Sequence, residues 1–266
     1  MSEAAAPAVA PVGAAAPAAS AAAPVLEARE IRKVFGSLVA LDGAEVSVAK
    51  GEIVGLIGPN GSGKSTLLHV ISGRTAATAG TVMLGGRDVT RAKPSDRVRA
   101  GLSIKFQLAR VYLDQTVADN LLLAVQSSAP LFSLMLSRTR AQAAGTIDSL
   151  LEGFHLTPAR DQLARELSHG EQQWLEIAMA MAVGPSVLLL DEPTAGMSRE
   201  ERLATGERIR AARNHCGVLI VEHDLDFIRG LCDRIFVLHQ GKIIASGTPA
   251  QIEADPRVQE VYLTRV

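Results

Sequence analysis

With 266 residues, 47% of them hydrophobic, the chain is long enough to bury a full core and reads most simply as one α/β domain with a subdomain. A formal net charge of −1 and the lack of any long Lys/Arg run leave nothing to draw it onto a polyanion, so nucleic acid is not an expected partner. No window supplies the roughly 20 predominantly apolar residues that a membrane-spanning helix needs, so any membrane in the function must be crossed by other chains.

Met1 to Pro24 is rich in Ala and Pro, carries Glu3 and no Lys or Arg, and lacks the basic segment of a secretory signal. It is expected to be a disordered tail, because small residues and prolines bury too little surface to offset chain entropy, and the folded domain is expected over residues 25–266. Alternating apolar residues at Leu26 to Val34 and Ala40 to Val48 predict antiparallel strands, in a β-rich lobe that also takes in Gly80 to Leu84. Ile53 to Ile57 reads as a buried strand and Lys64 to Gly73 as the helix after it.

Further along, Leu102 to Phe106, Val187 to Leu190, Val218 to Val221 and Ile235 to Leu238 are short apolar runs with little alternation, as expected of parallel strands covered on both faces. Between Gln107 and Arg165 the strand signal disappears, and Val117 to Val125 and Ala141 to Phe154 look helical. A helical subdomain is therefore expected over about residues 107–184. The apolar cluster Pro130 to Leu136 inside it reads first as core and second as part of a docking surface. Cys216 and Cys232 form no metal pattern and read as reduced, packed residues.

The chemistry is concentrated in three places. Gly58-Pro59-Asn60-Gly61-Ser62-Gly63-Lys64-Ser65-Thr66 fits G-x-x-x-x-G-K-[ST] between a strand and a helix, the position a phosphate-binding loop must take. Glycines at 58, 61 and 63 let backbone N–H groups curl around a phosphate, with the positive end of the helix dipole facing the same anion. Lys64 then reaches the β- and γ-phosphates and the Ser65 hydroxyl ligates Mg²⁺, so ATP and Mg²⁺ are the expected ligands.

In the second place, the strand from Val187 ends in Asp191 and Glu192. Alone they are two solvated charges at a strand terminus; beside a matched phosphate loop, Asp191 faces the metal and Glu192 polarises an attacking water. Thirdly, Ser168 followed by Glu171 is a capping box, so a helix should begin at His169 with its free N–H groups directed outward. The spacing alone fits an ordinary capped surface helix equally well.

Leu167-Ser168-His169-Gly170-Glu171-Gln172-Gln173-Trp174 resembles the signature motif of the ATP-binding cassette (ABC) family. The likeness extends over about residues 26 to 250 and implies a P-loop NTPase of ABC type: a mostly parallel sheet core, an antiparallel β lobe and a helical subdomain. It implies that Gln107 belongs to the family's glutamine loop at the metal, Ala195 to Ser198 to its D-loop, His223 to its switch and Phe35, otherwise readable as a core aromatic, to its adenine contact. In that family two nucleotide domains pair head to tail, and Ser168, His169, Gly170 and Glu171 would act on the partner's nucleotide. His169 and Glu171 depart from the usual glycine and glutamine, and Ser198 from the usual aspartate.

A finer likeness, in residues 167–177, 192–197 and the ending at Tyr262-Leu263, is to ATPases of branched-chain amino acid and urea importers. It implies a peripheral subunit on the cytoplasmic face of the membrane, partnered by a second ABC ATPase subunit, integral permease subunits and, indirectly, a solute-binding protein. A soluble ABC ATPase with an assembly or scaffold role is the alternative. A nucleic-acid-directed relative is disfavoured, because neither a long coiled-coil insertion nor a second cassette is present.

Overall fold

The computed structural model describes residues 23–105, 111–127 and 139–263. Strands β1 (Pro24–Phe35) and β2 (Leu38–Ala49) form a hairpin that pairs Leu26 with Val48 and Ala28 with Val46. Leu26, Ala28, Ile31, Leu41, Ala44, Val46 and Val48 are buried, so the hairpin covers a core with one face. Ala28 and Ile31 share that face because the register shifts between them, with Glu30 at a φ of 49°, a bulge that resets the alternation. Strand β4 (Ala79–Leu84) lies on the other side of β1 and carries the two-residue β5 (Arg87–Asp88), in the order β2-β1-β4-β5.

A six-stranded sheet runs β10-β9-β3-β8-β7-β6. Its members are β3 (Ile53–Ile57), β6 (Leu102–Lys105), β7 (Val187–Asp191), β8 (Gly217–Val221), β9 (Arg234–His239) and β10 (Lys242–Gly247). All are parallel except β10, which pairs antiparallel with β9. Alternate residues of the central strands enter two different cores. Ile53, Ile57, Leu188, Leu190, Val218 and Ile220 face a helical core, whereas Val54, Leu56, Leu189, Leu219 and Val221 face the antiparallel sheet. Both faces being apolar, the period-two signal vanishes from these runs.

Helix α1 (Lys64–Ser72) contributes Leu67, Leu68 and Ile71 to the core that the two sheets share. After α2 (Pro94–Arg99), helices α3 (Val117–Ser127), α4 (Thr139–Gly153) and α5 (His169–Met181) come between β6 and β7 in the chain. Then α6 (Arg199–Ala212) precedes β8, α7 (Leu225–Leu231) precedes β9, and α8 (Pro249–Ala254) and α9 (Pro256–Leu263) follow β10.

The elements match the sequence reading with local corrections. Strand β1 starts at Pro24, inside the expected tail, because Pro24 already pairs with Ala49; a first strand position tolerates the missing N–H of proline. The first helix stops at Ser72, with Gly73 as its left-handed cap at a φ of 77°. Phe106, expected to end β6, and the cluster Pro130 to Leu136 lie outside the described residues. Among the described residues no helix is long and apolar enough to cross a membrane.

Candidate nucleotide site at the strand ends

Parallel pairing aligns the ends of four strands. Lys105 sits opposite Leu190, Asp191 opposite Val221, and Val221 opposite Leu56, so the loops after β6, β7, β8 and β3 leave the sheet from one edge. An open parallel sheet places its ligands beyond this edge.

The loop after β3 is held from behind. The Gly241 N–H donates to the Ser62 carbonyl (2.9 Å) and the Asp42 N–H to the Gly241 carbonyl (2.9 Å), tying the loop to the β9–β10 turn and to β2. Gly58 is pressed so closely onto β9 that a Cβ there would stand 2.1 Å from the Leu238 carbonyl oxygen, which only glycine avoids. Gly63 is the N-cap residue of α1, and its carbonyl accepts the first intrahelical bond, from the Leu67 N–H (2.9 Å). The Lys64 ammonium folds back over the loop and donates to the carbonyls of Gly58 (2.7 Å) and Pro59 (3.1 Å). Pro59, Asn60, Gly61 and Ser62 also line a cavity of about 620 Å³, together with His239, Gln240, Arg257 and Glu260.

Asp191 ends β7 half-buried. Desolvation pushes its carboxyl above the usual range and the neighbouring Glu192 charge adds to this, while His69, Lys105 and Lys64 pull it back. The carboxylate therefore lies in the field of the loop lysine, as its expected role requires. Ser65 and Asp191 are hard oxygen donors, and a desolvated carboxyl with an anionic neighbour favours a divalent cation, so these residues fit Mg²⁺. Among the described residues no cluster of three or more His, Cys, Asp and Glu side chains is disposed to hold a metal. Mg²⁺ needs no such cage, because it keeps most of its water and phosphate ligands.

Glu192 occupies the left-handed region at a φ of 45°, a conformation that costs a non-glycine residue roughly 1–3 kcal/mol and persists only where neighbours enforce it. The neighbours are visible. Its N–H donates to the Val221 carbonyl (2.9 Å), and its carbonyl accepts from Ala195 (3.2 Å). The buried Glu222 carboxylate then accepts from the Thr194 N–H (3.0 Å), the Thr194 hydroxyl (2.6 Å) and the His223 N–H (3.2 Å). The loops after β7 and β8 are thus pinned together, and His223 Nδ1 stands 3.9 Å from Glu192 Oε1 and 3.6 Å from Glu222 Oε2. The expected base and the expected switch histidine are neighbours.

Phe35 closes β1 with its ring 47% exposed and the Lys33 ammonium 4.7 Å from its centroid. It is not a core aromatic. Gln107 lies outside the described residues.

Ser168 caps α5 as the sequence predicts. Its hydroxyl accepts from the Glu171 N–H (3.2 Å), and Glu171 Oε2 accepts from the Ser168 N–H (2.8 Å). His169 is exposed and Gly170 buried. Ser198 has a role that the sequence reading did not assign: it caps α6 in a second reciprocal box with Glu201. Serine and aspartate are both strong N-caps, so the departure at this position preserves the helix start.

Lys105 at the strand edge escaped the sequence reading, and so did its contacts with α5. Lys105, 2% exposed at the end of β6, donates to Gln173 Oε1 and lies 3.4 Å from Glu176 Oε2, both on α5. Burial lowers its ammonium pKa, and Glu176, Glu222 and Asp191 counter that shift. A lysine inside an apolar strand run is a signal in itself, since such a charge is buried only when paired.

A phosphate loop on an α/β sheet, with two carboxylates at the end of β7 two strands away and a capped helix in the signature position, defines a P-loop ATPase of the cassette type. Comparison with known proteins agrees. The family model described as "ABC transporter" matches residues 41–195, and that described as "Branched-chain amino acid ATP-binding cassette transporter" matches residues 242–263. The High-affinity branched-chain amino acid transport ATP-binding protein LivG of Escherichia coli (strain K12) is 35% identical over 249 residues, covering 90% of this chain and 98% of LivG. The Lipopolysaccharide export system ATP-binding protein LptB of Acidithiobacillus ferridurans is 37% identical over 240 residues, covering 90% of this chain and 96% of LptB. The solved structure of MJ1267, an ATP-binding cassette of an ABC transporter, superposes with a TM-score of 0.79 at 32% identity, covering 90% of this chain and 99% of that one. The chain belongs to the ABC transporter family; it is an ATP-binding subunit and an ATPase.

Proposed function

We propose that the chain is the energy-coupling ATPase of an importer for branched-chain amino acids, urea or related small polar solutes. The observation that carries this reading is the C-terminal segment 242–263, which matches the branched-chain amino acid cassette model and, through Arg257 and Glu260, lines a cavity that Pro59 to Ser62 also line. The likeness to an export ATPase covers 90% of this chain as well, so the match of residues 242–263 to the branched-chain amino acid model is what favours import in this reading.

In the proposed mechanism Gly58, Pro59, Asn60, Gly61, Ser62, Gly63, Lys64, Ser65 and Thr66 hold the phosphates, and Phe35 stacks on the adenine. Glu192 orients a water in line with the γ-phosphate and accepts its proton, with His223 beside it at 3.9 Å. Bound Mg²⁺ would neutralise the phosphate charge, held by Ser65, Asp191 and Gln107. Ser168, His169, Gly170 and Glu171 close on the nucleotide of a second ABC ATPase subunit. The pair would sit on the cytoplasmic face of the membrane against permease subunits, with a solute-binding protein engaged through them and no nucleic acid involved.

The experiment is purification of a tagged chain from detergent-solubilised native membranes, followed by reconstitution of whatever co-purifies into vesicles. The expected result is co-purification of integral subunits and ATP-driven movement of labelled leucine or urea towards the side that holds this chain. Movement of substrate away from that side identifies an exporter. Recovery of the chain with no integral subunit supports the scaffold alternative.

A further inference from the structure

The signature helix and the D-loop helix are joined within one chain by contacts that run along their first turns. Glu201, the capping partner of Ser198, points its carboxylate at the start of α5: Oε1 lies 2.5 Å from where a Cβ on Gly170 would stand. A side chain at position 170 would push that carboxylate aside, so the contact between Glu201 and the start of α5 depends on the glycine. Next to it the His169 ring covers the D-loop, its Cε1 3.2 Å from the Cβ position of Gly196. A turn further in, Trp174 Nε1 donates to Thr205 Oγ1 (2.8 Å), and that hydroxyl donates to the Glu201 carbonyl (2.7 Å) and approaches Met197 Sδ (3.2 Å). The Arg208 guanidinium stacks on the Trp174 ring at 3.6 Å.

These contacts fall where the chain departs from the family pattern. His169 stands in place of a glycine and lies over Gly196; Ser198 stands in place of an aspartate, and its capping partner meets Gly170. The Glu201 carboxyl is held below the usual range first by the Ser198 N–H and then by the Ser198 side chain, with the His169 charge and the Gly170 N–H adding to the effect. One carboxylate thus serves two helix starts.

We infer that Glu201 is a positioning residue that locks the signature turn and the D-loop into one rigid element, so that both are presented to the partner subunit's nucleotide together. The inference rests on the proposed head-to-tail pairing of subunits. Glu201 touches no nucleotide in this arrangement. It fixes the angle at which the N-terminus of α5 meets one.

The test uses the full chain carrying Glu192→Gln, which blocks hydrolysis and lets ATP-bound pairs accumulate. Into it are placed Glu201→Ala and, separately, Glu201→Gln, which keeps an acceptor oxygen for the same N–H groups. Three quantities are read: thermal midpoint, ADP affinity of the monomer, and the Mg-ATP concentration for half-maximal pairing by light scattering. Glu201→Ala is expected to leave ADP affinity within about two-fold and to raise the pairing concentration by about 5- to 30-fold, the equilibrium equivalent of losing a cap and a charge-assisted bond. Glu201→Gln is expected to restore pairing to within about three-fold of the parent.

Pairing of the Ala variant at the parental ATP concentration overturns the inference, and so does a parallel loss of ADP affinity, which would place Glu201 in its own nucleotide site. Failure of Glu201→Gln to pair despite a parental thermal midpoint overturns it as well, since the acceptor oxygen is then not what matters. If the Ala variant does not fold, the Gln variant alone decides. If the parent itself never pairs with ATP, the head-to-tail reading has failed and this inference falls with it.

Discussion

The strand-edge site and the signature turn are built on opposite principles. Lys64, the Asp191–Glu192 pair and His223 follow three separate strands, yet each is placed by the register of a buried parallel strand and by backbone bonds such as Glu192 N–H to Val221. Ser168, Gly170 and Ser198 are placed by a few side-chain bonds at exposed helix starts, two reciprocal caps and the Glu201 carboxylate between them. Geometry stored in a core survives the loss of any single surface contact, whereas geometry stored in caps does not. Substitution at the first site should therefore remove chemistry and leave structure, and substitution at the second should remove geometry and leave chemistry.

The sharpest way to break that contrast is Glu192→Gln. It keeps the volume and the backbone but removes the charge and basicity, and the loop remains pinned through Thr194 and Glu222. Hydrolysis should slow by something on the order of 10²–10⁴-fold, the usual share of acid–base catalysis, with nucleotide affinity unchanged. Single-turnover hydrolysis, with the membrane subunits supplied if the free chain is inactive, measures it. Wild-type turnover would remove Glu192 from the mechanism; lost affinity would mean that the strand edge is less rigid than the register implies.

A smaller effect is expected where the two regions meet. Lys105 links the end of β6 to Gln173 and Glu176 on α5, so it spans from the first region to the helix that carries the second. Lys105→Met leaves the Glu176 carboxylate without its cation in a largely desolvated place. The cost should be about 3–5 kcal/mol in chemical denaturation. Lys105→Met combined with Glu176→Leu removes both charges, and should recover most of that loss, because well-packed apolar replacements of a buried pair are often neutral. Urea unfolding of the three proteins checks this; a double variant as unstable as the single one would show that the pair contributes more than charge compensation.

The strand edge was legible in the sequence because its residues lie in short uninterrupted runs. Gly58 to Thr66 follows a strand directly, and Asp191 and Glu192 end another, so spacing and topology gave their places before any contact was known. The helix start at Ser168 was legible for the same reason, as a local capping box. What was not legible depends on contacts between residues far apart in the chain. Thr194 with Glu222, Lys105 with Glu176 and Gly170 with Glu201 leave no mark on local periodicity. Strand β5 and helix α8 escaped because two and six residues are too few to show a period. The Ser198 box was as local as the Ser168 box, but comparison with the family's aspartate at that position hid the cap that serine supplies equally well.

The smallest effect concerns the helical core on which both regions rest. Cys216 and Cys232 are free thiols buried in it, and desolvation raises both, Cys216 to about 11. An unfolded cysteine ionises near 8.5. Because the folded value of Cys216 is the higher one, its share of stability is complete below the unfolded value and is lost as pH rises from there through about 11. Urea midpoints should therefore fall progressively between about pH 8.5 and 11, on the order of 1–3 kcal/mol for this group. At pH 8 the native protein should react with iodoacetamide at both cysteines far more slowly than the urea-unfolded chain, since only the thiolate attacks and burial denies access as well. The same measurement in the Glu201→Ala protein sharpens the comparison: unchanged protection there would show that loosening the signature turn leaves the core beneath it closed, whereas rapid alkylation would show that the capped helix starts and the core open as one unit.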